Sequence, residues 1–223
     1  MKLLYPKYGI NIQLEENQVN NLVVEKPEVF SEFLQELIWQ LEGNEGELIL
    51  SEADKILPIA KNVILISNPL MVDCNEKKII MKLYKELSDN ARNLMYEKCS
   101  ELNSQIVGFL DEILNTVPYH LEADIDMDVA TLLKNYNVQI ATAGTQPIER
   151  LIDYLRANSL ICGIRIFIAL NLKQFFSQEE LRQLYEFCFY EKIHLICMEG
   201  IKSDTLKNEK CVIIDKDLCI IEP

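Results

Sequence analysis

An uninterrupted helical pattern between residues 74 and 117 is the feature that most restricts how this chain can fold. The segment has no proline and a single glycine, Gly108, and its apolar residues keep the three-and-four spacing of one helix face. A continuous helix of about 43 residues would be roughly 64 Å long, well beyond the diameter of a small domain. We therefore predict an α-helical arm that projects from a compact body and is broken, if at all, near residues 88–90. Its apolar face needs cover from returning helices or from another subunit.

Short apolar runs outside this segment predict an α/β body. Residues 1–26 alternate such runs with turn residues, which indicates short strands of an antiparallel sheet or its edge. The spacing at 27–41 predicts an amphipathic helix that starts at Pro27 and stops before Gly43. Further predicted elements are strands at 48–50, 63–66 and 138–143, a short helical pattern around 132–136, and a helix that begins at Pro147.

The last third of the chain predicts a parallel sheet. Buried strands at 164–171 and 193–199 flank a helix that begins with a capping box formed by Ser177 and Glu180. A strand, a helix of about 13 residues and a second strand have the spacing of a right-handed βαβ crossover. Runs at 212–215 and 218–221 predict a closing hairpin. We assign residues 1–72 and 138–223 to the α/β body and residues 73–137 to the arm.

Composition excludes several classes of protein. The chain has 35 acidic and 22 basic residues, a formal charge of −13, which excludes a uniformly basic nucleic-acid coat. Its apolar runs are much shorter than the roughly 20 residues of a membrane span, and the N-terminus does not resemble a signal peptide. We therefore expect a soluble, cytoplasmic protein with no membrane partner. The seven scattered cysteines are expected to be small core residues, not disulfides or zinc ligands.

The sequence carries no strong catalytic motif. Neither G-x-x-x-x-G-K-[ST] nor G-x-G-x-x-G occurs, so an α/β body alone does not predict ATP hydrolysis. Asp73 with Glu76-x-Lys78 fits a loose metal-nuclease pattern, but the start of a helix with a solvated face explains these residues better. His194 lies in an apolar strand and His120 in a turn. We predict no catalytic residue and no enzyme, with a divergent ATPase or a metal-dependent nuclease as the alternative.

Four carboxylates occupy alternate positions after the arm, at Glu122, Asp124, Asp126 and Asp128, and we call them the acidic run. In an extended segment alternate side chains point the same way, so several could converge on one hard cation. Calcium is favoured over magnesium because flexible carboxylates suit its larger shell. A solvated turn with Asp128 capping the next helix explains the same spacing equally well.

These features together resemble one family over nearly the whole chain, the small ring-forming protein of type II-A CRISPR systems that is required for acquiring new spacers. The resemblance lies in the order of the elements and in whole segments rather than in a short motif. Those segments are the N-terminal strands, the helical arm, LEADIDMD leading into VATLLKNYNVQI, IFIALNLKQFFSQEEL, IHLICME and IIDKDLCII.

The resemblance implies a head similar to the RecA-like nucleotide-binding fold, without its phosphate loop, and a projecting helical leg. It also implies a homotetrameric ring that binds the ends of double-stranded DNA in a lysine-lined channel, supported by calcium ions. Its protein partners would be the integrase complex and the RNA-guided nuclease of the same locus. The family places metal-binding carboxylates in the acidic run.

The distribution of charge suggests where DNA could bind in such a ring. Residues 99–133 have seven acidic and no basic residues, whereas residues 55–98 have eight basic and five acidic ones. A ring could present a few lysines inward and its carboxylates outward. The candidate DNA-binding residues are Lys55, Lys61, Lys134, Lys173, Lys202 and Lys207. A further alternative is a protein-only assembly scaffold whose lysines are merely surface residues.

Overall fold

The computed structural model describes residues 1–53, 55–124, 126–141 and 144–222. The chain divides into two compact units. We call residues 1–74 with 142–223 the α/β unit, and residues 75–141 the helical unit.

In its described residues the α/β unit contains a large sheet of six strands and a small sheet of four. The strands are β1 (Lys2–Tyr5), β2 (Ile10–Gln13), β3 (Val19–Val24), β4 (Ile49–Glu52), β5 (Lys55–Leu57), β6 (Val63–Ile66), β7 (Ile166–Leu170), β8 (His194–Glu199), β9 (Glu209–Ile214) and β10 (Ile220–Ile221). The described helices are α1 (Pro27–Leu41), α2 (Ile59–Asn62), α3 (Lys77–Leu94), α4 (Tyr96–Leu114), α5 (Val129–Asn135), α6 (Pro147–Leu160), α7 (Leu172–Phe175) and α8 (Gln178–Tyr190). This mixed architecture confirms the predicted α/β class.

The large sheet has the strand order β10-β9-β3-β8-β7-β6. All of its neighbouring strands are parallel except β10, which pairs antiparallel with β9. The β7–α8–β8 crossover and the closing β9–β10 hairpin are therefore confirmed. The capping box at the start of α8 is also confirmed, since Ser177 and Glu180 exchange side-chain and backbone hydrogen bonds.

The small sheet has the order β2-β1-β4-β5 and is antiparallel throughout. The prediction of antiparallel strands at the N-terminus is thus right for β1 and β2 but wrong for residues 22–24. Those residues belong to β3, which lies between two parallel neighbours and is buried along its whole length. A continuous apolar run buried on both faces is typical of an interior parallel strand, whereas an alternating run is typical of an antiparallel strand.

Both faces of the large sheet are covered. One face packs with α1 and the small sheet into a single apolar core. Its members include Leu3, Phe33, Leu50, Ile168 and Ile196. On the other face, the Tyr185 hydroxyl of α8 lies 3.7 Å from Sγ of Cys197 in β8. Arg156 of α6 lies over the ring of Phe187 and so joins α6 to α8.

The helical unit shows where the long helical pattern breaks. The break is at Met95, between α3 and α4, and not near residues 88–90 as predicted. Ser88 lies inside α3, where its hydroxyl donates to the carbonyl of Tyr84, so its polar group has a partner within the helix. Met95 has φ −130° and ψ 27°, and its N–H still bonds to the Ala91 carbonyl. The interruption is therefore a single residue.

The predicted strand at 138–143 is wrong for residues 138–141, and residues 142 and 143 lie outside the described residues. Side chains of α3 and of the segment before it take the backbone groups that a strand partner would use. Tyr84 donates to the Val138 carbonyl over 2.9 Å. The Asn75 amide bonds to both the N–H and the carbonyl of Ile140, at 2.8 and 3.0 Å. These bonds hold the segment after α5 against α3 without a sheet.

The seven cysteines are free thiols. Cys74, Cys188, Cys197 and Cys211 are buried, which confirms their expected place in the core, whereas Cys219 is exposed. In the described part of the chain, every helix is too short or too polar to cross a lipid bilayer.

Candidate nucleic-acid interface

The connection from β3 to α1 is where a phosphate loop would be expected, because it joins an interior parallel strand to a helix N-terminus. It consists of Glu25 and Lys26 and has no glycine. Pro27 opens α1 and has no N–H to donate, and Glu28 places a negative charge in the first turn. A bound phosphate needs converging backbone N–H groups and no adjacent carboxylate. This connection therefore does not provide a nucleotide phosphate site.

The structure gives Asp128 a different role from the other three residues of the acidic run. Asp128 is the N-cap of α5, and its carboxylate accepts the N–H groups of Ala130 and Thr131 and the Thr131 hydroxyl. These hydrogen bonds, the Thr131 hydroxyl first, lower the pKa of Asp128 below its ordinary value. Asp128 therefore has the helix-capping role that was one of the two interpretations of its position.

The rest of the acidic run is exposed. Glu122, Asp124 and Asp126 are all accessible to solvent. Asp126 lines a cavity of about 360 Å³ together with Arg92 and Tyr96, and the next residue, Met127, donates its N–H to Asn103 of α4. Among residues 1–53, 55–124, 126–141 and 144–222, no group of three or more His, Cys, Asp or Glu side chains could hold a metal ion. The described part of one chain thus does not assemble a calcium ligand set from these carboxylates.

Five of the six candidate lysines are exposed. Lys55 lies in β5, the edge strand of the small sheet, and Lys61 lies at the end of α2. Lys134 lies in the last turn of α5, where a positive charge also complements the helix dipole. Lys202 and Lys207 lie in the segment 200–208 between β8 and β9, which we call the crossover loop. Lys134 belongs to the helical unit and the other four to the α/β unit.

The sixth candidate, Lys173, does not present its ammonium group to solvent. Its side chain is 7% exposed and forms a 2.8 Å ion pair with Glu209, whose side chain is fully buried. The same ammonium group donates to the Asp204 carbonyl over 2.8 Å. A phosphate contact needs a lysine whose ammonium group can reach the DNA backbone. Lys173 instead belongs to a buried, structural ion pair.

Glu209 is the centre of this buried cluster. In addition to Lys173 it accepts the Tyr185 hydroxyl over 2.6 Å and the Leu206 N–H over 2.9 Å. Burial, together with the nearby Cys197 and Glu209, raises the pKa of Tyr185, so this hydroxyl remains a donor at neutral pH. We call Lys173, Tyr185, Glu199 and Glu209 the lysine cluster.

Glu199, at the end of β8, is the second carboxylate of the lysine cluster. It is 2% exposed and accepts the backbone N–H of Lys173 over 3.2 Å. Burial raises its pKa above the ordinary value, although the Lys173 N–H and charge partly offset this rise.

Sequence reasoning missed the roles of Tyr185, Glu199 and Glu209. The available signal was an acidic residue at one end of each of two mainly apolar strands, IHLICME and EKCVII, since a buried carboxylate requires a cationic or hydrogen-bonding partner.

Two comparisons found known proteins that are similar to this chain. A family model described as a CRISPR-associated protein (Cas_Csn2) matches residues 40–218. A solved structure from Pyrococcus furiosus, described as the ATP-binding protein of an ABC transporter, is similar at 11% sequence identity and a TM-score of 0.39. That alignment covers 91% of this chain and 88% of the other chain. A TM-score this low carries no argument about fold or function.

Proposed function

This chain belongs to the Cas_Csn2 family of CRISPR-associated proteins, and from that premise we propose that it binds the ends of double-stranded DNA without catalysing a reaction. It would act as a homotetrameric ring, in the cytoplasm, and support the acquisition of new spacers. Its proposed protein partners are the integrase complex and the RNA-guided nuclease of the same locus. The family match over residues 40–218 is the observation that carries this proposal.

The distribution of charge supports an electrostatic, sequence-independent mode of binding. The whole chain is acidic, so only a local group of cations could attract DNA. Lys55, Lys61, Lys202 and Lys207 are exposed in the α/β unit, and Lys134 is exposed in the helical unit. Each lysine that neutralises a phosphate releases a condensed counterion, and the affinity then falls steeply as salt rises. We therefore propose these five lysines, without Lys173, as the residues that bind phosphates.

The β3–α1 connection supports a non-enzymatic role. Without glycines, and with Glu25 and Glu28 on either side of Lys26-Pro27, it offers no cradle for a nucleoside triphosphate. We propose that the protein neither hydrolyses ATP nor cleaves DNA.

Calcium is the proposed ion for the ring. Glu122, Asp124 and Asp126 are exposed carboxylates, and hard oxygen ligands suit this cation. Since the described part of one chain gathers no complete ligand set, oxygen ligands from a second copy would have to complete the shell. Native mass measurements test this point: a tetramer is expected with calcium and a smaller species with a chelator. An unchanged mass would overturn the calcium proposal.

The experiment that tests the function is a mobility shift of a short linear duplex with calcium or with a chelator. We expect a shift with calcium, no cleavage products, and no ATP turnover in a parallel assay. A double variant, Lys202→Ala with Lys207→Ala, should weaken the shift. The matched control, Lys2→Ala with Lys216→Ala, removes two exposed positive charges elsewhere and should leave the shift unchanged. An oligomer that fails to shift DNA would instead support the protein-only scaffold.

A further inference from the structure

The crossover loop is an unusual connection because it joins two parallel strands without a helix. β8 and β9 both pair with β3, one on each side, so the loop returns the chain from the end of one strand to the start of another. Parallel strands are usually joined by a helix, which satisfies its own backbone groups. The described backbone of residues 202–206 has no helix or strand structure. Its polar groups therefore need partners from elsewhere in the molecule.

Lys173 and Glu209 provide those partners. The Lys173 ammonium group donates to the Asp204 carbonyl, and the Glu209 carboxylate accepts the Leu206 N–H. Leu206 is 7% exposed, so the loop is also held by one buried apolar side chain. The loop is thus attached at its middle by the two members of a buried ion pair.

Lys173 contacts the chain before, within and after the loop. Its backbone N–H donates to Glu199, the last residue of β8. Its ammonium group donates to Asp204 in the loop and to Glu209, the first residue of β9. A single residue on α7 therefore fixes the relative position of both ends of the loop and of its centre.

We propose that Lys173 is a positioning residue that holds the crossover loop in the conformation that presents Lys202 and Lys207 to a DNA phosphate backbone. The DNA part of this inference rests on the proposed function. Lys173 itself does not reach a phosphate, because its ammonium group is buried and already has two acceptors within 2.8 Å. Its effect on DNA binding passes entirely through the two exposed lysines of the loop.

In this proposal the ion pair specifies the geometry of the loop rather than adding stability. Replacing a buried ion pair by apolar groups of similar size is often neutral or stabilising, whereas removing one partner leaves a buried charge and is strongly destabilising. Lys173→Met alone would leave the Glu209 carboxylate without its cation. The informative variant is therefore the double substitution Lys173→Met with Glu209→Gln, which removes both charges and keeps an acceptor for Tyr185 and Leu206.

Hydrogen exchange on the DNA-free protein tests the positioning role. In the double variant the Leu206 amide, which donates to residue 209, should exchange about tenfold faster or more, because the loop loses the charged hydrogen bond from Lys173 to the Asp204 carbonyl and opens more readily. Amides of β7 and β8 should exchange as in the wild type. The Lys202→Ala, Lys207→Ala variant is the control and should keep wild-type exchange in the loop. Unchanged loop exchange in the Lys173 and Glu209 double variant would overturn the proposal.

A double-mutant cycle tests the DNA part. Either pair of substitutions alone should weaken binding to a linear duplex. At physiological salt the expected loss of affinity is about fivefold for each phosphate that a lysine no longer neutralises. In the Lys202→Ala, Lys207→Ala background, adding Lys173→Met and Glu209→Gln should weaken binding no further. Additive effects would show that Lys173 acts on DNA independently of the loop and would overturn the inference. If the wild-type protein binds no DNA, the proposed function and the DNA part fail together, while hydrogen exchange still decides the positioning role.

Discussion

The ammonium group of Lys173 lies 2.8 Å from a carboxylate oxygen of Glu209, and both side chains are almost completely buried. These two residues are 36 positions apart in the sequence, on α7 and at the start of β9. Their pairing changes the interpretation of Lys173 from a DNA-binding lysine to a residue that organises the crossover loop. Glu199 is a second buried carboxylate near the same ammonium group, and its negative charge is expected to lower the stability of the fold at neutral pH.

Replacing Glu199 by glutamine should raise the melting temperature at neutral pH. Burial raises the pKa of Glu199 above 4.5, so the stability that its neutral form contributes is fully present below pH 4.5 and is lost as the pH rises through the folded-state pKa. Glutamine remains neutral and can still accept the Lys173 N–H. Thermal unfolding followed by circular dichroism at neutral and acidic pH measures the difference, which should vanish in acid. Glu179→Gln, on the exposed face of α8, is the control. A lower melting temperature for Glu199→Gln at neutral pH would contradict this account.

Replacing Ser177 by alanine should destabilise the α/β unit by about 1 kcal/mol, the usual effect of removing a helix N-cap. The substitution removes the acceptor for the Glu180 N–H and the hydroxyl that donates to the Glu180 carboxylate. Denaturant unfolding measures the change in stability. Ser177→Thr keeps the hydroxyl and should retain most of the stability, and equal destabilisation by both variants would argue against the capping box.

Asp128 should matter for its oxygen acceptors more than for its charge. Asp128→Ala is expected to destabilise the helical unit, while Asp128→Asn should preserve the cap, because both Asp and Asn are good N-cap residues. Protonation places a hydrogen on one of these acceptor oxygens, so the lowered pKa of Asp128 means that its stabilising effect is present above pH 3.8 and is lost as the pH falls through the folded-state pKa. Hydrogen exchange of α5 measures the effect, with Asp124→Ala as the control. An effect of Asp128→Asn as large as that of Asp128→Ala would indicate a role for the charge.

The thiols should differ sharply in reactivity. Burial raises the pKa of Cys188 to about 12 and also raises that of Cys197, so neither forms the reactive thiolate in the native protein. Alkylation at mildly alkaline pH, read by peptide mass spectrometry, should label the exposed Cys219 first. Cys188 and Cys197 should react only after unfolding. A Cys219→Ser variant removes the fast reaction, and early labelling of Cys188 would contradict the described core.

Local sequence patterns predicted most of the α/β elements, because the determinants are close together in the chain. Pro27 and Pro147 mark the starts of α1 and α6, and Ser177 with Glu180 marks the start of α8. The apolar runs at β7 and β8 are continuous because both faces of these parallel strands are covered.

The remaining features depend on contacts between distant residues. The spacing in β3 does not reveal that its partners are β8 and β9, far along the chain. Nothing local distinguishes Met95, where the helix breaks, from Ser88, which lies inside α3 with its hydroxyl bonded to the Tyr84 carbonyl. In the candidate site, the sequence does not predict that Lys202 is exposed and Lys173 buried, since both are lysines that follow apolar strands.

The central claim, that a ring of this protein binds the ends of double-stranded DNA, is tested most directly by comparing a linear duplex with a covalently closed one. The two DNAs should share sequence and length, and the affinity should be measured with calcium at one fixed salt concentration, because electrostatic binding depends strongly on salt. We predict binding of the linear duplex and little or none of the closed one. Equal affinity for both forms, or no affinity for the linear duplex, would contradict the account.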